Sequence, residues 1–212
     1  MKAAQAITDA AFSYIVTYMK PGMTERQVQI ELEDWMLRHG ASGLAFSSIV
    51  ACGANGASPH AIPGEAQLEA GQCVVMDFGA RTYGYCSDMT RTMFIGQPDA
   101  RMRAAYETLR EANERVEAAI KPGVTGAQMH QMAEDALAAG GFAGKMGHGL
   151  GHGVGIDIPE EPVLAPQQGA ACPRERGHGG TGHISGGRFR HAFRGFRRGY
   201  RNGIPGFHAI YA

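Results

Sequence analysis

The chain has no pair of cysteines at the two-residue spacing of a zinc or redox site: Cys52, Cys73, Cys86 and Cys172 stand far apart. Cys73 and Cys86 fall in apolar, strand-like runs, where buried free thiols in a reducing compartment are expected. No charged-then-apolar leader opens the chain, and no apolar run approaches the length that spans a bilayer. The expectation is a cytoplasmic protein with no membrane partner. Tryptophan is nearly absent, with Trp35 alone, and charged residues are sparse at 19%. Acids are almost missing from one end. From Arg174 onward there are eight arginines, no lysine and the single acid Glu175. The formal net charge of zero, from 20 basic and 20 acidic residues, hides this division, because the preceding part carries 12 basic and 19 acidic residues.

What is present is enough for a core. At 212 residues and 44% hydrophobic, the chain suits one domain or at most two. Residues 3–19 space apolar groups as a helix does, and Pro21-Gly22 breaks it. Thr24 with Gln27 forms a capping-box pattern that opens a second helix ending near Gly40. Strand-like runs follow at 47–53, 73–80 and 83–95, then a helix over 99–119. Lys121-Pro122-Gly123-Val124-Thr125 opens another capped helix that stops at Gly140-Gly141. That helix repeats the earlier one. Residues 20–40 and 121–141 align without a gap, Lys20 and Lys121 lying 101 residues apart. Thr24/Thr125, Gln27/Gln128, Glu33-Asp34/Glu134-Asp135 and Gly40/Gly141 coincide. The spacing is far beyond solenoid periods. It points to two similar α+β halves about an approximate two-fold, with a site between them. Convergence of two ordinary capped helices is the competing explanation.

Asp77 sits within VVMDFGA, an otherwise apolar strand. A buried carboxylate needs a partner, and a metal ion is one. Asp88 follows in GYCSDMTRT. A hairpin turning near Arg81–Gly84 would lay the two strands side by side and aim both carboxylates at one point. Carboxylate pairs suit hard divalent cations and two-metal centres. Turn capping, or pairing with Arg81 or Arg91, is the alternative. In GHGLGHGVGIDI, His148 and His152 lie among alternating glycines. Glycine lets backbone approach a ligand closely, and histidine binds metals and moves protons. An ordinary glycine loop with incidental histidines remains open. The stretch has no phosphate-cradle spacing. His60, in GASPHAIP, is a lone histidine near a proline turn.

Taken together, Ser-Pro-His at 58–60, MDFGA and GYCSDMTRT, and GHGLGHGVG resemble the pita-bread metallopeptidases, over about residues 3–166. That family includes aminopeptidase P, prolidase, creatinase and methionine aminopeptidase, and the flavour is closest to aminopeptidase P. The resemblance implies an α+β pita-bread fold of two pseudo-two-fold-related halves, here C-terminally incomplete. It implies a catalytic domain over 1–170. It assigns two divalent ions (Mn²⁺, Co²⁺ or Zn²⁺), with Asp77 on one, His152 on the other and Asp88 bridging. His60 and His148 would contact the substrate or the reacting carbonyl and help move protons. The implied reaction is hydrolysis after the first residue of a peptide, with proline second. A homodimer is compatible with it; neither a membrane nor a nucleic acid is implied. A prolidase-type dipeptidase and a methionine aminopeptidase are the nearest alternatives. A catalytically dead peptide-binding module and a nucleic-acid binder acting through the basic tail are alternatives of other classes. Dependence on added Mn²⁺ or Co²⁺ separates the first group, and a steeply salt-sensitive RNA affinity the last.

The chain departs from the family in three places. Pro159 stands seven residues after His152, where a His-Glu-x-Pro pattern is usual, and proline offers no side-chain hydrogen bond. Two further glutamate ligands, in Val-Glu-Pro-Gly-Ile-Tyr-like and Arg-x-Glu-Asp strands, have no counterpart beyond Glu175. The N-terminal domain usual in aminopeptidase P relatives is not expected in this sequence, which opens on what the resemblance makes the first helix of the catalytic domain. Composition makes 171–212 an Arg/Gly-rich tail of the kind that binds nucleic acid by charge and stacking. The genetic code offers a sharper reading. GHGGTGHIS (177–185) can be encoded GGT CAC GGT GGA ACC GGG CAT ATA TC, which one base on reads Val-Thr-Val-Glu-Pro-Gly-Ile-Tyr. HAFRGF (191–196) can be encoded CAT GCG TTT CGA GGA TT, which shifts to Met-Arg-Phe-Glu-Asp. Both missing motifs arise in order in one shifted frame, so the tail is expected to be out of frame and disordered, and the peptidase impaired.

Overall fold

The computed structural model describes residues 1–121 and 123–164, together with the short strand Phe207–His208. Helix α1 (Lys2–Tyr18) turns Ala4, Thr8, Ala11 and Ile15 inward at three- and four-residue spacing. Helix α2 (Glu25–Arg38) starts at the Thr24 capping box, in which Thr24 Oγ1 accepts from Gln27 N–H and Gln27 Oε1 accepts from Thr24 N–H. Such a cap stabilises a helix start by about 1 kcal/mol. Helix α3 (Ala100–Ala119) is capped by Asp99, and α4 (Gly126–Ala139) by a second complete capping box on Thr125.

The repeat read from the sequence is a structural repeat. Both ends of α4 lie 101 residues after those of α2, and α3 ends 101 residues after α1. The buried positions of α2 (Glu25, Val28, Gln29, Leu32, Met36) map at that offset onto Gly126, Met129, His130, Ala133 and Leu137, all buried in α4.

Strands β2 (Ile49–Cys52), β3 (Cys73–Phe78) and β6 (Met89–Phe94) pair antiparallel, with β3 in the middle. Strands β1 (Gly43–Leu44), β4 (Ala80–Thr82) and β5 (Tyr85–Cys86) form a smaller sheet beside them. Val74, Met76 and Phe78 of β3 pack with Ile15, Val28, Leu32 and Met36 of the helices in the main core. In the second half, β7 (Gly151–Gly153) and β8 (Glu160–Leu164) form a two-stranded sheet, and Leu150 and Leu164 pack with Val116 and Met129.

The strand-like runs at 73–80 and 83–95 are each divided. The first breaks at Gly79 and the second at Ser87-Asp88. The cause is a close approach: a Cβ on Gly79 would overlap the Ser87 carbonyl oxygen. The hairpin turn falls where the sequence indicated, at Tyr83-Gly84, with φ of 51° and 77°. Positive φ at both central residues gives the mirror-image turn whose twist suits flanking strands.

The Arg/Gly-rich tail lies outside the described residues apart from β9 (Phe207–His208), which pairs with Thr92 and Met93 at the free edge of β6. That pairing was not anticipated. Among the described residues no helix is long and apolar enough to cross a membrane.

Candidate metal centre

Alternation along β3 sends Val74, Met76 and Phe78 into the helical core and leaves Cys73, Val75 and Asp77 on the opposite face. In the β3–β6 register Asp77 lies opposite Thr90, whose hydroxyl donates to Asp77 Oδ1 at 2.9 Å. Asp88 sits in the break between β5 and β6. Its neighbour Ser87 is fixed on three sides. The Ser87 and Thr8 hydroxyl oxygens are 2.7 Å apart, Ala80 N–H donates to Ser87 Oγ at 3.0 Å, and Ser87 N–H donates to Ala80 O at 2.9 Å. The approach that Gly79 permits thus holds Asp88 near Asp77.

His152 comes from the second half. The loop after β7 docks on the first half where Cys86 N–H donates to Gly155 O at 2.7 Å. His152 Nδ1 lies 3.0 Å from its neighbour's carbonyl, Gly153 O. A carbonyl only accepts, so Nδ1 carries the proton and Nε2 presents a lone pair. That Nε2 lies 3.7 Å from Asp88 Oδ2. Asp77 on β3 and Asp88 in the break before β6 are thus brought together, and His152 of β7 stands beside Asp88.

Electrostatics marks the group. Burial, then the charge of Asp88, pushes the Asp77 carboxyl up to about 7, against the Thr90 hydrogen bond and His152. Burial pushes Asp88 up to about 6 while its hydrogen bond with Asp77 opposes the rise. Two such close carboxyls titrate as a pair, and one shared proton relieves them. A divalent cation supplies the missing positive charge instead, so two carboxylates and an imidazole lone pair fit such an ion in kind. In placement they fall short: among the described residues no group of three or more His, Cys, Asp or Glu is positioned to hold a metal ion.

Two further candidate histidines lie on loops. His60 is exposed in the loop between β2 and β3. His148 borders an apolar cavity of about 200 Å³ between α3 and α4, with Leu109, Leu137 and Met146 among its walls. His148 Nδ1 lies 2.7 Å from Gly149 O. Pro159 is exposed in the β7–β8 loop.

Sequence reasoning missed Thr90, Gly79 and Glu25. Thr90 lies two residues beyond Asp88, a position that only the strand register reveals as facing Asp77. Glu25 passed as an ordinary acidic first-turn residue, yet it is almost wholly buried. Gly126 stands at the equivalent place in the repeat.

Known proteins resemble this chain in sequence and fold. The family described as Peptidase_M24, Metallopeptidase family M24, matches residues 1–184. The chain is 39% identical over 170 residues to YqhT, an uncharacterized peptidase of Bacillus subtilis (strain 168), covering 80% of this chain and 48% of that protein. An Xaa-Pro dipeptidase from Bacillus anthracis superposes with a TM-score of 0.78 at 39% identity, covering 80% of this chain and 48% of that one. An X-Pro aminopeptidase from Thermotoga maritima MSB8 superposes with a TM-score of 0.78 at 36% identity, covering 81% and 49%. The chain thus spans about half the length of the relatives it matches. These likenesses bear out the α+β pita-bread fold. Matched over residues 1–184 and, across most of its own length, 39% identical to one of those relatives, the chain belongs to metallopeptidase family M24.

Proposed function

We propose that the chain is a metal-dependent peptidase that removes the first residue from peptides with proline second, and that it works slowly as it stands. The observation that carries this reading is the approach of Asp77, Asp88 and His152 from the two halves. Similarity to an Xaa-Pro dipeptidase and an X-Pro aminopeptidase supports the substrate class.

Asp77, Asp88 and His152 would hold divalent ions, which when bound acidify water and offset charge developing on a peptide carbonyl. The chain's own residues do the rest. Thr90 orients Asp77 through its hydroxyl. The Gly153 carbonyl keeps the proton of His152 on Nδ1 and so leaves Nε2 free to bind. His60 and His148, each on a loop, are the candidates for gripping the substrate and moving protons. The slow turnover follows from three ligands doing the work of five, and from Pro159 in place of a polar group. The same reading makes 1–170 the catalytic part and 171–212 the product of a shifted reading frame. A cytoplasmic location suits it.

The test is hydrolysis of Ala-Pro and of Ala-Pro-Ala with Mn²⁺. The chain is compared with a version whose residues 171–212 are recoded in the shifted frame. The recoded protein should be faster by on the order of 100-fold or more, since removing parts of one catalytic unit is severe. Preference for the tripeptide marks an aminopeptidase, and preference for the dipeptide a dipeptidase. Equal turnover by both would overturn the proposed impairment. No turnover by either would overturn the peptidase reading itself.

A further inference from the structure

One buried charge has no part in the group just described. Glu25, at the first position of α2, is 1% exposed. Its carboxylate accepts three hydrogen bonds. Cys52 N–H donates to Oε1 at 2.7 Å and Asn55 Nδ2 to the same oxygen at 3.0 Å, while Gly64 N–H donates to Oε2 at 3.1 Å. These donors outweigh burial, the largest single influence, and hold the carboxyl below its ordinary value. Glu25 is therefore an anion at neutral pH, with every bond directed at one segment.

That segment carries His60. Cys52 ends β2, and a short 3-10 turn (Gly53–Ala57) begins the loop that returns through Gly64. Two of the three donors stand at the entrance of the loop and one at its exit, so a single carboxylate closes it at both ends. The first turn of α2 adds a second layer: Arg26 N–H donates to Gly64 O and Glu25 N–H to Ala66 O, both at 3.0 Å. Helix-start amides lack intrahelical partners, and here the loop supplies them.

The closed loop leans on the face that bears Asp77. A Cβ on Gly56 would lie 3.2 Å from Val75 Cγ2. Val75 and Asp77 share one face of β3. The equivalent of Glu25 in the second half is Gly126, which has no side chain to do the same, so the carboxylate is peculiar to the half that carries His60.

We propose that Glu25 is a positioning residue: it clamps the 52–64 loop and so sets where His60 meets the substrate. This rests on the peptidase reading for the role of His60, but not for the clamp. Glu25→Gln is the discriminating variant. An amide keeps one oxygen for Cys52 and Asn55 but turns an N–H₂ toward the N–H of Gly64, donor against donor. It opens the exit of the loop while leaving the size of the side chain unchanged.

Two measurements on the full chain with Mn²⁺ test the proposal. In amide hydrogen exchange, Glu25→Gln should speed exchange across 53–64 by about tenfold or more, with Leu32 and Val74 unchanged. In binding of Ala-Pro, Glu25→Gln and His60→Ala should weaken affinity by similar factors, and the double variant should be no weaker than the worse single. Asn55→Ala removes one exposed donor and should show both effects more mildly, which keeps the test usable if Glu25→Gln does not fold. Unchanged exchange over 53–64 overturns the clamp. Weakened binding in His60→Ala but not in Glu25→Gln overturns the positioning role. A chain that binds no Ala-Pro at all sinks the peptidase reading and the substrate half of this proposal, while the exchange measurement still decides the clamp.

Discussion

Helices α2 and α4 have the same length, the same capping box and matching buried positions, and α1 and α3 end in register, yet the two pairs rest on different amounts of sheet. The α1–α2 pair covers β2, β3 and β6 and shares one large core with them, including Phe78, Met76 and Leu32. The α3–α4 pair packs with Leu150 and with Leu164 of β8 and meets β6 through Tyr106 edge-on to Phe94, and its apolar face divides into two small clusters with a cavity beside them. Capping residues and helical spacing are local, so they specify a helix wherever they recur. The strands a helix packs on are distant in sequence, and they decide how much its apolar face contributes.

Core truncation should break the symmetry most. Leu32→Ala removes a fully buried side chain from the large core, and urea titration should show a loss of about 2–5 kcal/mol. Leu137→Ala sits beside the existing cavity and should cost about 2 kcal/mol or less, because fewer contacts are lost. Equal losses would mean that the two halves are equally well packed.

A smaller effect concerns charge, which the first half carries on β3. The raised Asp77 carboxyl stabilises the metal-free fold fully only below its unfolded pKa of roughly 4. That stability is lost as pH rises through about 7. In EDTA, Asp77→Asn should therefore melt a few degrees higher than the parent at pH 8, and the difference should vanish at pH 4, on the scale of about 2–4 °C per kcal/mol. Added Mn²⁺ should raise the melting temperature of the parent alone. A parent that is the more stable of the two at pH 8 in EDTA would show that the carboxylates are already compensated.

The smallest effect should be the same in both halves. Thr24→Ala and Thr125→Ala each remove a capping box and should each cost about 1 kcal/mol by urea titration. A large inequality would show that one cap carries tertiary contacts the other lacks.

These contrasts also separate what the sequence made legible from what it did not. All four helices, the two capping boxes and the repeat could be read, because capping and helical periodicity act over three or four residues. The hairpin at Tyr83-Gly84 and the pairing of Asp77 with Asp88 were legible for the same reason. The break at Gly79 was not, because it answers to Ser87 and Thr8 crossing from elsewhere. Thr90 depended on register, and Glu25 on a loop whose ends only the fold brings together. His60 and His148 could be picked out by residue type, but residue type says nothing of which wall they stand on, and His148 lines the α3–α4 cavity.

The docking of Gly155 on Cys86 has a bearing on how this group comes into being. Asp77 and Asp88 are 11 residues apart and meet as soon as one tight hairpin zips, whereas His152 lies 64 residues beyond Asp88. Local pairings form early, and long closures wait until most of the chain has been ordered. Two acids therefore face each other during folding before the imidazole arrives. In that interval they must share a proton or find a cation, so acidity and free divalent ion should govern how fast the last strap settles.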